Sequence, residues 1–215
     1  MRPENRQGGQ ESGTDKQKKR SFIEEARRAQ IIQAAIETIS EEGYANSSLA
    51  RIAKHAGISK GVISYHFAGK EELLYEVVVQ VYTKVAEAVA PAVTAQPDPV
   101  RALRAYITTA AGYMRGHRTE LLALSSIFLG SRDTEGEPRY GVAGNEDLYR
   151  NLEEIFRWGQ EEGAFRGFDR RVMAVTFQAS IDAMFGYWVF YPEHDLEEHA
   201  RELADLFEHA VRAPG

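Results

Sequence analysis

The stretch Ser48–Leu74, SLARIAKHAGISKGVISYHFAGKEELL, decides how this chain folds. It reads as two short helices joined by a tight turn, followed by the start of a third, which is the pattern of a helix-turn-helix. Ser48 is placed to cap the first helix, its hydroxyl accepting from a free backbone N–H of the first turn. Leu49, Ile52, Ala53 and Ala56 then recur at spacings of three and four, so one face is apolar and must be buried, while Arg51, Lys54 and His55 stay outside. Gly57 stands where the chain turns through positive φ, a conformation that costs least for a residue without a β-carbon. Ile58 fills the angle between the helices, and Ser59 caps the next one, which runs from Lys60 to Phe67. Its apolar residues are Val62, Ile63 and Phe67. Ser59, Lys60, Gly61, Ser64, Tyr65 and His66 offer small, basic or hydrogen-bonding surface.

That surface suits a helix lying in a DNA major groove, where phosphates and base edges call for donors, a positive charge and a close approach of backbone. No Asp or Glu occurs from Leu49 to Gly69, although the chain carries 32 of them. Carboxylates there would be repelled by phosphates. The bland alternative is a helical hairpin with a merely solvated basic face. A net charge of −6 runs against DNA binding until it is divided. Residues 1–70 hold 12 Lys and Arg against 8 Asp and Glu, whereas residues 71–215 hold 14 against 24. A basic reader on an acidic body is drawn to DNA by one end and repelled by the other, which orients the molecule.

The chain as a whole, 215 residues of which 43% are hydrophobic, is long enough for a sizeable core. Helical periodicity predicts helices over about 21–42, 49–56, 60–67, 70–90, 99–116, 118–130, 145–162, 169–190 and 195–211, with a break near Pro91 and a charged loop over 131–144. No run reads as a strand. The expected fold is all-α: about nine helices, forming an N-terminal three-helix helix-turn-helix domain and a C-terminal ligand-binding and dimerisation bundle. Residues 1–20 are expected to be a disordered basic arm, 21–69 the DNA-binding domain and 70–215 the effector-binding and dimerisation domain. Lys16, Lys18, Lys19 and Arg20 either follow phosphates or form a solvated tail.

Other chemistries lack their residues. Without cysteine there is no disulfide, thiolate metal site or thiol nucleophile. His194, His199 and His209 lack zinc spacing and read as a solvated helix, so no metal and no cofactor is expected. Nucleophile elbows, Walker loops and dinucleotide glycine fingerprints are missing, so an enzyme is not expected. With no long apolar span and no signal-peptide core, the expectation is a soluble cytoplasmic protein with no membrane partner.

Residues 31–74, through IIQAAIETISEEGY, SLARIAKHAGISKG, the HF pair and KEELL, resemble the TetR family of one-component transcriptional regulators. The GVISYHF variant is similar to the branch that includes choline-responsive regulators. Many family members carry tyrosine where this chain has Ser64, so either Ser64 or Tyr65 takes that tyrosine's phosphate contact. The resemblance implies that Ser48, Ser59, Lys60, Gly61, Tyr65, His66 and Lys70 lie against double-stranded operator DNA, with Lys70 on a phosphate. Base contacts come mainly from Lys60, Gly61 and Val62. It also implies a homodimer through the last two long helices, matching half-sites roughly 34–36 Å apart, and control by a small-molecule effector. The expected output is repression, released when the effector binds. Competing readings are an enzyme or carrier with a relic reader, and a DNA-organising protein without effector control.

Within the apolar segment VMAVTFQASIDAMFGYWVFY, residues 172–191, Gln178 and Asp182 stand one helical turn apart. A buried carboxylate must be paired, solvated in a cavity or neutral. Asp182 therefore either lines a ligand pocket, receiving a cationic or hydroxyl-bearing effector, or pairs with an arginine or backbone N–H across the dimer interface. Tyr106, Tyr113, Leu121, Phe128, Trp158, Phe177 and Met184 are the other candidate pocket residues, each with plain core packing as its alternative.

Overall fold

The computed structural model describes residues 13–132 and 146–213, with side chains from residue 21 onward. The described residues form nine helices: α1 (Gly13–Glu42), α2 (Leu49–His55), α3 (Lys60–His66), α4 (Lys70–Thr94), α5 (Pro99–Arg115), α6 (Arg118–Gly130), α7 (Glu146–Glu161), α8 (Arg170–Phe190) and α9 (Leu196–Val211). Phe165 and Arg212 form an isolated antiparallel bridge. The expected all-α architecture is what the chain adopts.

Most helix starts are written in the local sequence. Asp98, Asp169 and Asp195 each accept a bond from the backbone N–H three residues on, at 2.8–2.9 Å, satisfying donors that the first turn leaves free. Two boundaries differ from expectation. The α1 backbone is helical from Gly13, eight residues before Ser21 and inside the segment expected to be disordered; lysine and glutamine favour extension of a helix once it is nucleated. Residues 1–12 lie outside the described residues, as does nearly all of the charged loop expected at 131–144. The α4 helix does not stop near Pro91 but runs through it to Thr94. Pro91 removes one N–H, yet the last turn is closed by Ala95 N–H on Pro91 O at 3.1 Å, Thr94 Oγ1 on Ala90 O at 2.9 Å and Gln96 Nε2 on Ala92 O at 2.9 Å.

Two hydrophobic cores result. The first joins α1 (Ile31, Ile36, Ile39), α2 (Ile52), α3 (Ile63, Phe67) and the first half of α4 (Leu73, Val77, Val81) to one face of α6 (Ala123, Leu124, Ile127). The reading head is therefore not closed by its own three helices: α4 and α6 complete it. The second core fills the body, where Phe156, Phe177 and Phe207 interlock, with Phe177 centroids 5.9 Å from Phe156 and 4.8 Å from Phe207. The α5 helix lies between α4 and α9, and α7 packs on α8. Arg104 of α5 ties down α9 through Asp205 and through Glu208 at 2.8 Å.

Phe156 is fully buried against three other aromatic rings, so Phe156→Ala should cost about 3–5 kcal/mol in urea unfolding; a loss below about 1 kcal/mol would contradict this packing. Hydrogen bonds from Arg104 hold both the Asp205 and Glu208 carboxyls below their ordinary pKa. A depressed folded pKa gives stability that is present above the unfolded value and lost as pH falls through the folded one. Arg104→Met should therefore shrink the drop in melting temperature between about pH 5 and about pH 3; an unchanged acid limb would refute the tie.

Candidate nucleic-acid interface and the helical body

The turn of the reader is built as its residues dictate. Ser48 Oγ accepts from Arg51 N at 3.3 Å and Ser59 Oγ from Val62 N at 3.4 Å. Gly57 sits at φ +66, with its N–H on Lys54 O at 3.2 Å and the Ile58 N–H on Ala53 O at 3.0 Å. These two bonds form a Schellman closure, in which a left-handed residue satisfies the last carbonyls of α2.

On α3, Ile63 and Phe67 are buried to 1% exposure or less, which pins one face and presents the other. Ser59, Lys60, Gly61, Ser64 and Tyr65 are exposed, as is Ser48 at the head of α2, and Val62 and His66 are half-buried. Tyr65 and Ser64 both point to solvent, the Tyr65 ring resting edgewise on His66 at 5.0 Å. A cleft of about 350 Å³ between α1 and α3 is bordered by Ile23, Arg27, Ile58, Val62 and Tyr65, so the α1 shoulder stands beside the reading surface.

Lys70 departs from the rest of the set. Its Nζ donates to Tyr44 O at 2.7 Å and lies 4.2 Å from the centre of the Tyr44 ring, and burial lowers its pKa. The ammonium is thus turned inward onto the loop between α1 and α2. Tyr44 is a residue that sequence reading missed. Its N–H donates to Ser126 Oγ of α6 at 2.8 Å, and its ring occupies the space where a β-carbon on Gly130 would sit, 2.5 Å away. Tyr44 thereby joins the head, the start of α4 and the end of α6. Arg28 is a second such residue: it donates to His66 O, stacks over Phe67 at 4.4 Å and pairs with Glu76 at 3.1 Å, holding the C-terminal end of α3. Contacts spanning 26 to 82 residues leave no periodic trace in sequence.

In the body, Leu121, Phe177, Gln178 and Met184 are buried, and Tyr106 and Tyr113 pack partly buried against the same core. Tyr106 meets Phe177 edge to face at 5.5 Å. Tyr113 lies at the α5–α6 corner, stacked on His117 at 3.9 Å. Two candidates fall elsewhere. Phe128 follows Leu124 by four residues on the α6 face turned to the head, so it packs on the first core. Trp158 is half-buried but belongs to neither core.

Among the described residues of the one chain, no arginine or backbone N–H pairs with Asp182. Its carboxyl accepts from Gln178 Nε2 at 2.8 Å; burial raises its pKa, and the Gln178 bond partly offsets that rise. The residue as a whole is nonetheless exposed. Burial, followed by the Asp182 charge, pushes the Tyr106 phenol well above its ordinary pKa, which places Tyr106 within the field of this pair. His194 and His199 also depart from expectation: instead of being solvated separately they pair at 3.0 Å beside the Tyr187 ring. Among the described residues no helix is long and apolar enough to cross a membrane.

Residues 31–77 match the family of bacterial regulatory proteins, tetR family. The HTH-type transcriptional regulator BetI 1 of Chromohalobacter salexigens is 48% identical over 64 residues, covering 30% of this chain and 32% of that protein. The chain thus spans about a third of the length of this curated relative. Among solved structures, FadR of Bacillus subtilis in complex with stearoyl-CoA has a TM-score of 0.76 at 22% identity, covering 86% of this chain and 99% of that one. SmeT, the repressor of the Stenotrophomonas maltophilia multidrug efflux pump SmeDEF, has a TM-score of 0.71 at 25% identity over 87% and 91% of the two chains, and a SmeT–triclosan complex scores 0.72. These relatives are named as regulators, not as enzymes. The reading head, residues 31–77, is thus what this chain shares with the tetR family of bacterial regulatory proteins.

Proposed function

We propose that the chain is a homodimeric, effector-controlled transcriptional repressor that holds a palindromic operator until a small molecule enters the body. The observation that carries this reading is the division of α3: Ile63 and Phe67 locked in the core, and Ser59, Lys60, Gly61, Ser64 and Tyr65 free on the opposite side. A rigidly seated helix with a small, basic, hydrogen-bonding face is what major-groove reading requires. Ser48, Val62 and His66 flank that face.

Dimerisation rests on the outer side of α8. Val172, Tyr187, Phe190 and the adjoining Tyr191 are 48–69% exposed, and Leu206 of α9 adds 61%. So large an apolar face fits a second copy, as homodimer interfaces resemble a core cut in half. Control by an effector is supported by the stearoyl-CoA and triclosan complexes of FadR and SmeT, which share the fold. An effector acts by favouring a conformation whose reading heads no longer match the operator, since only differential affinity shifts that balance. The α4 and α6 helices, which enter both cores, are the elements able to pass on such a change.

Two experiments test this. With an operator obtained by selection from random DNA, Lys60→Ala should weaken anisotropy-measured binding by about tenfold or more, relax the sequence preference and lower the salt slope by about one. Lys70→Ala, whose ammonium is committed to Tyr44, should lower the melting temperature while changing that slope less; the opposite ranking would assign the phosphate contact to Lys70. For the dimer, Phe190→Asp should yield a monomer in sedimentation equilibrium that melts as a folded protein. A variant that remains dimeric would remove α8 from the interface.

A further inference from the structure

Gln178 is 5% exposed, and its side chain is only half satisfied. Its Nε2 donates to Asp182 Oδ1 at 2.8 Å, while its Oε1 is buried with no hydrogen-bond partner. The amide cannot be turned to relieve this, because an ionised carboxylate only accepts and the N–H must face it. The inner end of the pair therefore displays one orphaned carbonyl oxygen, beside a carboxyl that also has oxygen capacity to spare. No ion pair among the described residues involves Asp182, and the nearby polar group of α5 is the Tyr106 phenol. Tyr106 and Phe177, in edge-to-face contact, supply an aromatic wall. Asp182 itself is exposed, so the pair runs from a solvent-facing carboxyl to a buried amide oxygen.

An orphaned buried acceptor is costly until a donor arrives. What is missing is a group with several N–H donors and a positive charge. We propose that Gln178 and Asp182 form the seat for a primary ammonium group on the effector, with the aromatic wall taking the adjoining apolar part. This inference rests on the effector-controlled reading above and names the chemistry of its ligand. A tetrahedral ammonium donates to Gln178 Oε1 and to Asp182 at once and places its charge against the carboxylate. A carboxylate or phosphate meets the like charge of Asp182 and leaves Gln178 Oε1 without a donor. A quaternary ammonium brings the charge but no N–H, and leaves Gln178 Oε1 as it was.

The test is calorimetric titration of the full chain with three probes that share one aromatic tail: 2-phenylethylamine, its N,N,N-trimethyl derivative and 3-phenylpropionate. The amine should bind at least about tenfold more tightly than either of the others, that factor being one lost charge-assisted bond. Asp182→Asn and Gln178→Leu should each erase the preference while keeping the wild-type melting temperature without probe. Absence of amine binding, equal or tighter binding of the trimethyl or acid probe, or variants that keep the preference would each overturn the proposal. Operator affinity measured without any probe tests the regulator reading separately: if the chain ignores DNA yet prefers the amine, the regulator reading fails and the ammonium seat stands.

Discussion

A recognition helix of seven residues cannot hold itself together in water, because nucleation costs more than so few hydrogen bonds return. Everything else in the head answers that constraint. Ile63 and the capping Phe67 are the two anchors of α3, and they belong to one buried cluster with side chains from α1, α2, α4 and α6. Each buried side chain of that size contributes about 1.5–3 kcal/mol. Arg28 then fastens the far end of the helix through His66 O and the Phe67 ring. The polar face is rigid because the apolar face is not free to move.

The same constraint explains why the reader and the body are not separate objects. Three helices offer too little apolar surface to seat α3, so the head borrows α4 and α6, and these extend into the body core through Val89 and Leu121. Tyr44 sits at the join, with Lys70 on its carbonyl, Ser126 on its N–H and Gly130 under its ring. An element packed in both cores cannot shift at one end without disturbing the other, since close-packed interiors transmit strain. Mechanical coupling between the body and the head thus follows from the way the short helix is stabilised.

What was legible in the sequence follows the range of the forces involved. The α2–turn–α3 boundaries come out within a residue, because Ser48, Gly57 and Ser59 act on backbone groups three residues away or fewer. Helix faces in the body are legible for the same reason: periodicity is local. The roles of Tyr44, Arg28 and Lys70 depend on partners 26 or more residues distant, which no spacing rule encodes. Phe128 shows the limit of periodicity itself: it was assigned to the right face of α6 as an inward residue, but inward there means the head. Pro91 misled because it costs the helix only one bond, and the carbonyls of Ala90 and Ala92 on either side of it are taken up by the Thr94 and Gln96 side chains. The Asp182–Gln178 pair was visible as a spacing, but its orphaned oxygen was not.

The central claim is that the exposed face of α3 reads a particular DNA sequence. It is tested most directly by comparing the affinity of the intact chain for its selected operator with that for a scrambled duplex of equal length, at about 0.15 M salt, where non-specific attraction is screened. The account predicts a preference of about a thousandfold or more for the operator. Equal affinity for the two duplexes would contradict it.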